Sequence, residues 1–125
     1  MSRSRQSLGL AGEALAERHL TSRGFRVVAR RYRTRLGEID LVVRRGTLLV
    51  FVEVRARRGA RYGTAAESVH PLKQARLVRA AAGFLAANPQ PEGDPLCRFD
   101  VVAITWPEGA DPILDHIEDA FRPVL

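Results

Sequence analysis

The apolar residues of this chain are densest in two neighbouring runs, Glu38 to Arg45 (EIDLVVRR) and Leu48 to Arg57 (LLVFVEVRAR), divided by Gly46-Thr47. Their content of Val, Ile, Leu and Phe predicts two strands. A glycine at the first of two connecting positions suits a type II′ hairpin turn. Upstream, from Ser7 to about Ser22, helix formers dominate; Leu8, Ala11, Leu15 and His19 fall on one stripe at helical spacing, and Gly24 stops the run. This predicts a core-facing helix. Residues 25–33 (FRVVARRYR) read as a strand with basic residues at its exposed positions. Beyond the hairpin, residues 58–69 form a Gly- and Arg-bearing loop. Pro71 then opens a second helix that carries Leu72, Leu77, Ala81, Phe84 and Leu85 and ends at Asn88-Pro89. The segment NPQPEGDP is a surface loop by composition. CRFDVVAITW reads as a fourth strand closed by Pro107, ILDHI (113–117) as a short fifth strand, and the tail as a brief helical turn. The order α-β-β-β-α-β(-β) predicts an α/β fold, a mixed β-sheet flanked by helices, in a single domain over 1–125.

With Gly46-Thr47 as the turn, Asp40 falls opposite Glu53, and Glu38 opposite Arg55. Opposed residues and residues two apart share one side of a sheet. Four ionisable side chains therefore lie together, at the strand ends away from the turn, with Val42, Leu49 and Phe51 on the same face. The other face reads Ile39, Leu41, Val43, Leu48, Val50, Val52 and Val54. Such a hairpin is covered on both sides, and two carboxylates facing each other inside it repel. A hard divalent cation relieves that repulsion, since Mg²⁺ is held by one or two carboxylates and keeps several waters. An internal salt-bridge network through Arg55 and other arginines is the competing reading.

Composition sharpens the picture in one respect. Twenty Lys+Arg against fourteen Asp+Glu give a net charge of +6, which suits a polyanionic partner. Lys73 is the single lysine, and an Arg-rich coding bias accounts for that ratio as well as phosphate reading does. No apolar stretch approaches the ~18 residues of a membrane span, and the N-terminal segment lacks the apolar core of a secretory signal. A membrane partner is not expected, and the expected location is cytoplasmic. One cysteine, Cys97, excludes an internal disulfide and a cysteine-based zinc cage, and it reads as a core residue at a strand start. His19, His70 and His116 are too scattered to suggest zinc; His70, before Pro71, reads as a helix cap or loop residue. Ser68 has no visible His/Asp partners for nucleophilic catalysis.

The run Gly37-Glu38-Ile39-Asp40-Leu41-Val42, followed by Leu49 through Arg57, closely resembles the bacterial YraN family. Gly12-Glu13 with Leu15-Ala16, then Lys73, Ala81 and Leu85, then Arg98-Phe99-Asp100-Val101-Val102 extend the likeness over nearly the whole chain. That family is similar to the PD-(D/E)xK nucleases, which include restriction endonucleases and Holliday-junction resolvases. The resemblance implies a restriction-endonuclease-like fold and metal-dependent phosphodiester hydrolysis on DNA, branched or single-stranded forms included. It implies Asp40, Glu53 and Arg55 as catalytic residues. It implies Glu13, Asp40, Glu53 and the main-chain carbonyl of Val54 as holders of Mg²⁺ or Mn²⁺. Glu13 lies well off the Leu8–Leu15 stripe. Glu38 and Lys73 are accessory candidates. Arg55 stands where the family has Lys, and Arg stays protonated in proteins. Three explanations stand open: Arg suffices as a fixed charge, Lys73 substitutes from the second helix, or the domain binds nucleic acid without cutting it.

The expected partner is nucleic acid, DNA being favoured over RNA, and a homodimer is allowed. Arg33, Arg35, Arg57, Arg58, Arg61 and Arg76 are the candidate contacts, by phosphate recognition chiefly. Arg30, Arg31 and Arg79 flank the same region, with Tyr32 and Tyr62 interleaved.

Overall fold

Gly46 adopts φ 61° while Thr47 keeps a negative φ, the combination a type II′ turn requires. The turn sets the hairpin register as the pattern demands, with Val43 opposite Val50 and Leu41 opposite Val52. The computed structural model describes residues 5–59, 69–91 and 93–123. Its elements are α1 (Arg5–Ser22), β1 (Arg26–Arg33), β2 (Glu38–Arg45), β3 (Leu48–Arg58), α2 (Pro71–Ala87), β4 (Leu96–Trp106) and β5 (Ile113–Phe121). The five strands form one sheet in the order β1-β2-β3-β4-β5. All neighbours are antiparallel except β3 and β4, which run parallel because α2 carries the chain back across the sheet between them. The class is α/β with a mixed sheet, as the sequence predicts.

Each helix covers one face. α1 sets Ala16 and Leu20 against Leu41, Val43, Val50, Val52, Val102 and Ile104. α2 sets Leu77, Ala80, Ala81 and Phe84 against Val42, Leu49, Phe51, Phe99 and Val101. Burying each such side chain contributes roughly 1.5–3 kcal/mol, so the two faces are the main source of stability. α2 begins as expected: Pro71 occupies its first turn, and His70 caps it by accepting the Leu72 N–H at 3.1 Å. Among the described residues, no helix is long and apolar enough to cross a membrane.

Four expectations need correction. The buried stripe of α1 is centred on Gly12, Ala16 and Leu20, with Leu8, Ala11, Leu15 and His19 only half-buried beside it. Small residues hid this face: a Cβ on Gly12 would lie 2.9 Å from the Ala56 Cβ, so the helix touches β3 at a point where apolar periodicity has nothing to count. The described part of the tail is not helical. β5 runs on to Phe121, held there by Phe121 stacking on Phe99 at 5.1 Å between ring centroids. Cys97 is exposed, because the first residues of β4 extend past the cover of the helices and burial begins at Phe99. Finally, Ile39 packs with the α2 cluster instead of sharing the α1 face with Leu41.

Candidate metal site and basic cleft

That misplacement of Ile39 marks the site. Strict alternation would put residues 39 and 41 on one face, yet they lie on opposite ones. The partner strand behaves alike: Arg30, opposite Leu41, reaches Glu17 of α1, while Tyr32, opposite Ile39, packs edge-on against Phe84 of α2. Between them Arg31 takes φ 50°, a conformation that costs a non-glycine residue energy. The β1–β2 pairing itself is unbroken from Ala29 opposite Val42 to Arg33 opposite Glu38, so both strands reverse faces together at Arg31 and Asp40, and Asp40 turns toward β3. The β2–β3 ladder ends at Leu41 and Val52, so Asp40 and Glu53 are not a ladder pair. Instead, the Val54 N–H donates to Asp40 Oδ2 at 2.8 Å. The Val54 carbonyl, directed to the same strand edge as its N–H, therefore faces the Asp40 side beyond the ladder's end.

Glu53 sits on the α2 face with its side chain 4% exposed, and Asp40 beside it is 16% exposed. Burial first, and then the Asp40 charge and a hydrogen bond shared with it, push the Glu53 carboxyl up to about 7. Glu13 reaches the same cluster from α1. Burial and the proximity of Asp40 raise its carboxyl as well, while Arg31 Nε lies 3.9 Å from it. Glu13 of α1 and Glu53 of β3 thus each lie near Asp40 of β2, where Gly12 brings the helix onto the sheet. The remaining neighbours are cationic. Arg55 Nη1 is 3.7 Å and Lys73 Nζ 3.6 Å from Glu53 Oε1. Lys73 Nζ also lies 3.8 Å from Glu38 Oε1, and Arg33 Nε holds Glu38 Oε2 at 3.0 Å. Glu38 is therefore not opposite Arg55 but tied to β1 and α2, on the rim.

The donor set is all oxygen, and the Glu53 carboxyl keeps a proton up to about pH 7 that a cation could replace, which fits a hard cation. Among the described residues, no group of three or more His, Cys, Asp or Glu side chains is placed to hold a metal ion together. The fit is thus to an ion such as Mg²⁺ or Mn²⁺ that takes one or two carboxylates and keeps its waters. A stability consequence follows. Glu53 has a folded pKa of about 7 against an ordinary 4.5, so the fold binds its proton more tightly than the unfolded chain does. Its contribution is complete below about pH 4.5 and lost as pH rises through 7, an effect of roughly 3 kcal/mol. Urea unfolding in EDTA should show stability falling across that window, and Glu53→Gln should flatten the profile. An equally steep profile in the variant would remove Glu53 as its source.

The basic residues divide. Arg35 and Arg76 are exposed, near one another across the β1–β2 loop and α2. Arg33 is engaged with Glu38 and lies 3.8 Å from Asp40. Arg30 forms a two-pronged pair with Glu17 at 2.6 and 3.0 Å. Arg57 is half-buried and reaches Thr105 Oγ1 at 3.5 Å, Arg58 ends β3, and Arg79 is exposed on α2. Tyr32 belongs to the core, so it is not an aromatic platform on the basic surface. Arg61, Tyr62 and Ser68 lie outside the described residues.

One buried polar cluster escaped the sequence. Asp100, fully buried on β4, accepts two hydrogen bonds from Arg98, one from the Asp119 N–H at 3.0 Å, and one from His116 Nε2 at 2.8 Å. Burial raises its carboxyl, but these bonds outweigh that and hold it below the usual range. His116 Nε2 donates to the Asp100 carboxylate, and on its other side His116 Nδ1 meets His19 Nε2 at 3.0 Å. Two histidines 97 positions apart thus meet, which no spacing rule anticipates.

Comparison with known proteins finds sequence relatives of this chain. A family model described as "Uncharacterised protein family UPF0102" matches residues 12–104, from Gly12 on α1 through Ile104 on β4. A UPF0102 protein of Xanthomonas campestris is 50% identical over 122 residues, covering 98% of this chain and 97% of its own length. Those of Nitrosococcus oceani and Anaeromyxobacter dehalogenans are each 48% identical, covering 91% and 94% of this chain and 90% and 85% of their own lengths.

Proposed function

The chain belongs to the UPF0102 family, and within it we propose a divalent-metal-dependent endonuclease acting on DNA, on single-stranded or branched forms. One observation carries this reading: Asp40 and Glu53, both largely buried, are held against each other at the point where the β2–β3 ladder parts. Such a pair needs a proton or a cation between its members. Asp40 and Glu53, with the Val54 carbonyl, would hold Mg²⁺ or Mn²⁺, and Glu13 would assist through water. When bound, such an ion activates water and stabilises charge on a phosphoryl oxygen.

The protein's own groups do the rest. Asp40 is fixed by the Val54 N–H, so its second oxygen is presented without rotation. Arg55 supplies a permanent positive charge beside the scissile phosphate. Lys73 brings an ammonium to Glu53 from α2, the position from which it can fill the role of the lysine that Arg55 replaces. Its amine can hold or release a proton, which the Arg55 guanidinium cannot.

The test is direct. The protein incubated with Mn²⁺ should nick single-stranded or branched DNA, and EDTA should stop it. The second reading, a non-cutting nucleic-acid module, draws on Arg55 and on the lack of a preformed cage. Calorimetry showing DNA binding without Mg²⁺ or Mn²⁺ binding would select it.

A further inference from the structure

Beside the metal site lies a cleft of about 320 Å³ between the β1–β2 loop and the start of α2. We propose that it is a phosphate subsite, receiving the backbone of the strand whose neighbouring phosphodiester enters the metal site. The proposal rests on the nuclease reading for its occupant and names a contact that reading leaves open.

The loop is built to hold a shape. Thr34 N–H donates to the Gly37 carbonyl at 2.9 Å, and Thr34 Oγ1 accepts the N–H groups of Leu36 and Gly37 at 3.1 and 3.2 Å. Gly37 then lies directly on α2: a Cβ there would come within 2.5 Å of the Arg76 carbonyl oxygen. Only glycine permits this approach, and it fixes the distance between Arg35 on the loop and Arg76 on the helix. Lys73 and Glu38 complete the polar lining, and Leu36, half exposed, offers an apolar lip to a sugar or base.

The charges are unbalanced in favour of an anion. Three cations face one acid, Glu38, which Arg33 and Lys73 already occupy. Among the described residues, Arg35 and Arg76 have no ion-pair or hydrogen-bond partner. Two unpaired guanidinium groups across a narrow cleft suit a phosphate, which accepts several charge-assisted hydrogen bonds at once. Lys73 joins the two places, since its Nζ lies 3.6 Å from Glu53 and also lines the cleft. No feature of the cleft selects a base edge, so recognition is of backbone and independent of sequence.

The test measures anisotropy of a fluorescein-labelled single-stranded oligodeoxynucleotide with the whole protein in EDTA, across a salt series. Arg35→Ala and Arg76→Ala should each weaken binding about tenfold and reduce the log–log salt slope by roughly 0.7, the share of one phosphate. Arg79→Ala, an equal loss of charge outside the cleft on the same helix, should change affinity less than threefold. Gly37→Ala keeps every charge but must push the loop off α2, and it should match the arginine variants while unfolding cooperatively. If Arg79→Ala costs as much as Arg76→Ala, or Gly37→Ala binds as the wild type does, the subsite is overturned. Absence of any binding by the wild type overturns it too. Since EDTA prevents cleavage, a protein that never cuts still answers. Conversely, Mn²⁺-dependent cutting with unchanged binding in both arginine variants sinks the subsite and leaves the metal site standing.

Discussion

Asp40→Asn and Glu53→Gln should each lower Mn²⁺-dependent cleavage by roughly 10³-fold or more while DNA affinity holds or rises. Asparagine keeps an oxygen to accept the Val54 N–H, so the strand break at Asp40 survives, whereas its charge does not. Glutamine at 53 removes the carboxylate that burial and Asp40 hold near pKa 7. Both changes relieve repulsion inside the protein and around an incoming phosphate, which is why binding is not expected to suffer. Misfolding would mimic the loss of activity, but the metal-free Glu53→Gln protein should be more stable than the wild type above pH 7. A stabilised protein that no longer cuts is the diagnostic pair. Full-rate cleavage by both variants would falsify the assignment of these carboxylates.

How these two residues were legible, and how far, depends on what a pattern can record. The turn at Gly46-Thr47 fixed the register between Leu41 and Val52, and extrapolating it one step brought Asp40 near Glu53. The neighbourhood was therefore readable. Its geometry was not, because alternation assumes regular strands, and here β1 and β2 keep their pairing but reverse faces together at Arg31 and Asp40. The reversal moves Ile39 to the α2 face and points Asp40 along the sheet plane at a backbone N–H. Local rules fail where a side chain replaces a main-chain partner, and such places concentrate at functional sites. Glu13 looked remote for a simpler reason: the true inward stripe of α1 runs through Gly12 and Ala16, which carry little apolar weight. Lys73 could be named but not positioned, because its distance from Glu53 depends on how α2 crosses the sheet.

The same device occurs a second time, at Asp100, and there it predicts a large loss of stability. β4 and β5 lose register between Phe99 and Val101, where Asp119 takes φ 52°, and the Asp100 carboxylate enters the gap to accept the Asp119 N–H. At both positions a buried aspartate receives a backbone N–H at a break in the ladder. The difference lies in the company. Asp40 faces other carboxylates, while Asp100 faces Arg98 and His116 and is fully satisfied. Asp100 is thus already neutralised without a metal, and its role is to tie β5, and through His116 the helix α1, to the sheet. Asp100→Ala should cost about 3–5 kcal/mol, since it leaves Arg98 and His116 without their shared anion and the Asp119 N–H without an acceptor. His116→Phe, which keeps the Arg98 pair, should cost less. Thermal or urea unfolding measures both, and a loss below about 1 kcal/mol for Asp100→Ala would mean that this cluster does not anchor the edge strand. Cleavage per folded molecule should stay near the wild-type rate in Asp100→Ala, which separates this aspartate from Asp40 by function as the structure separates them by partners.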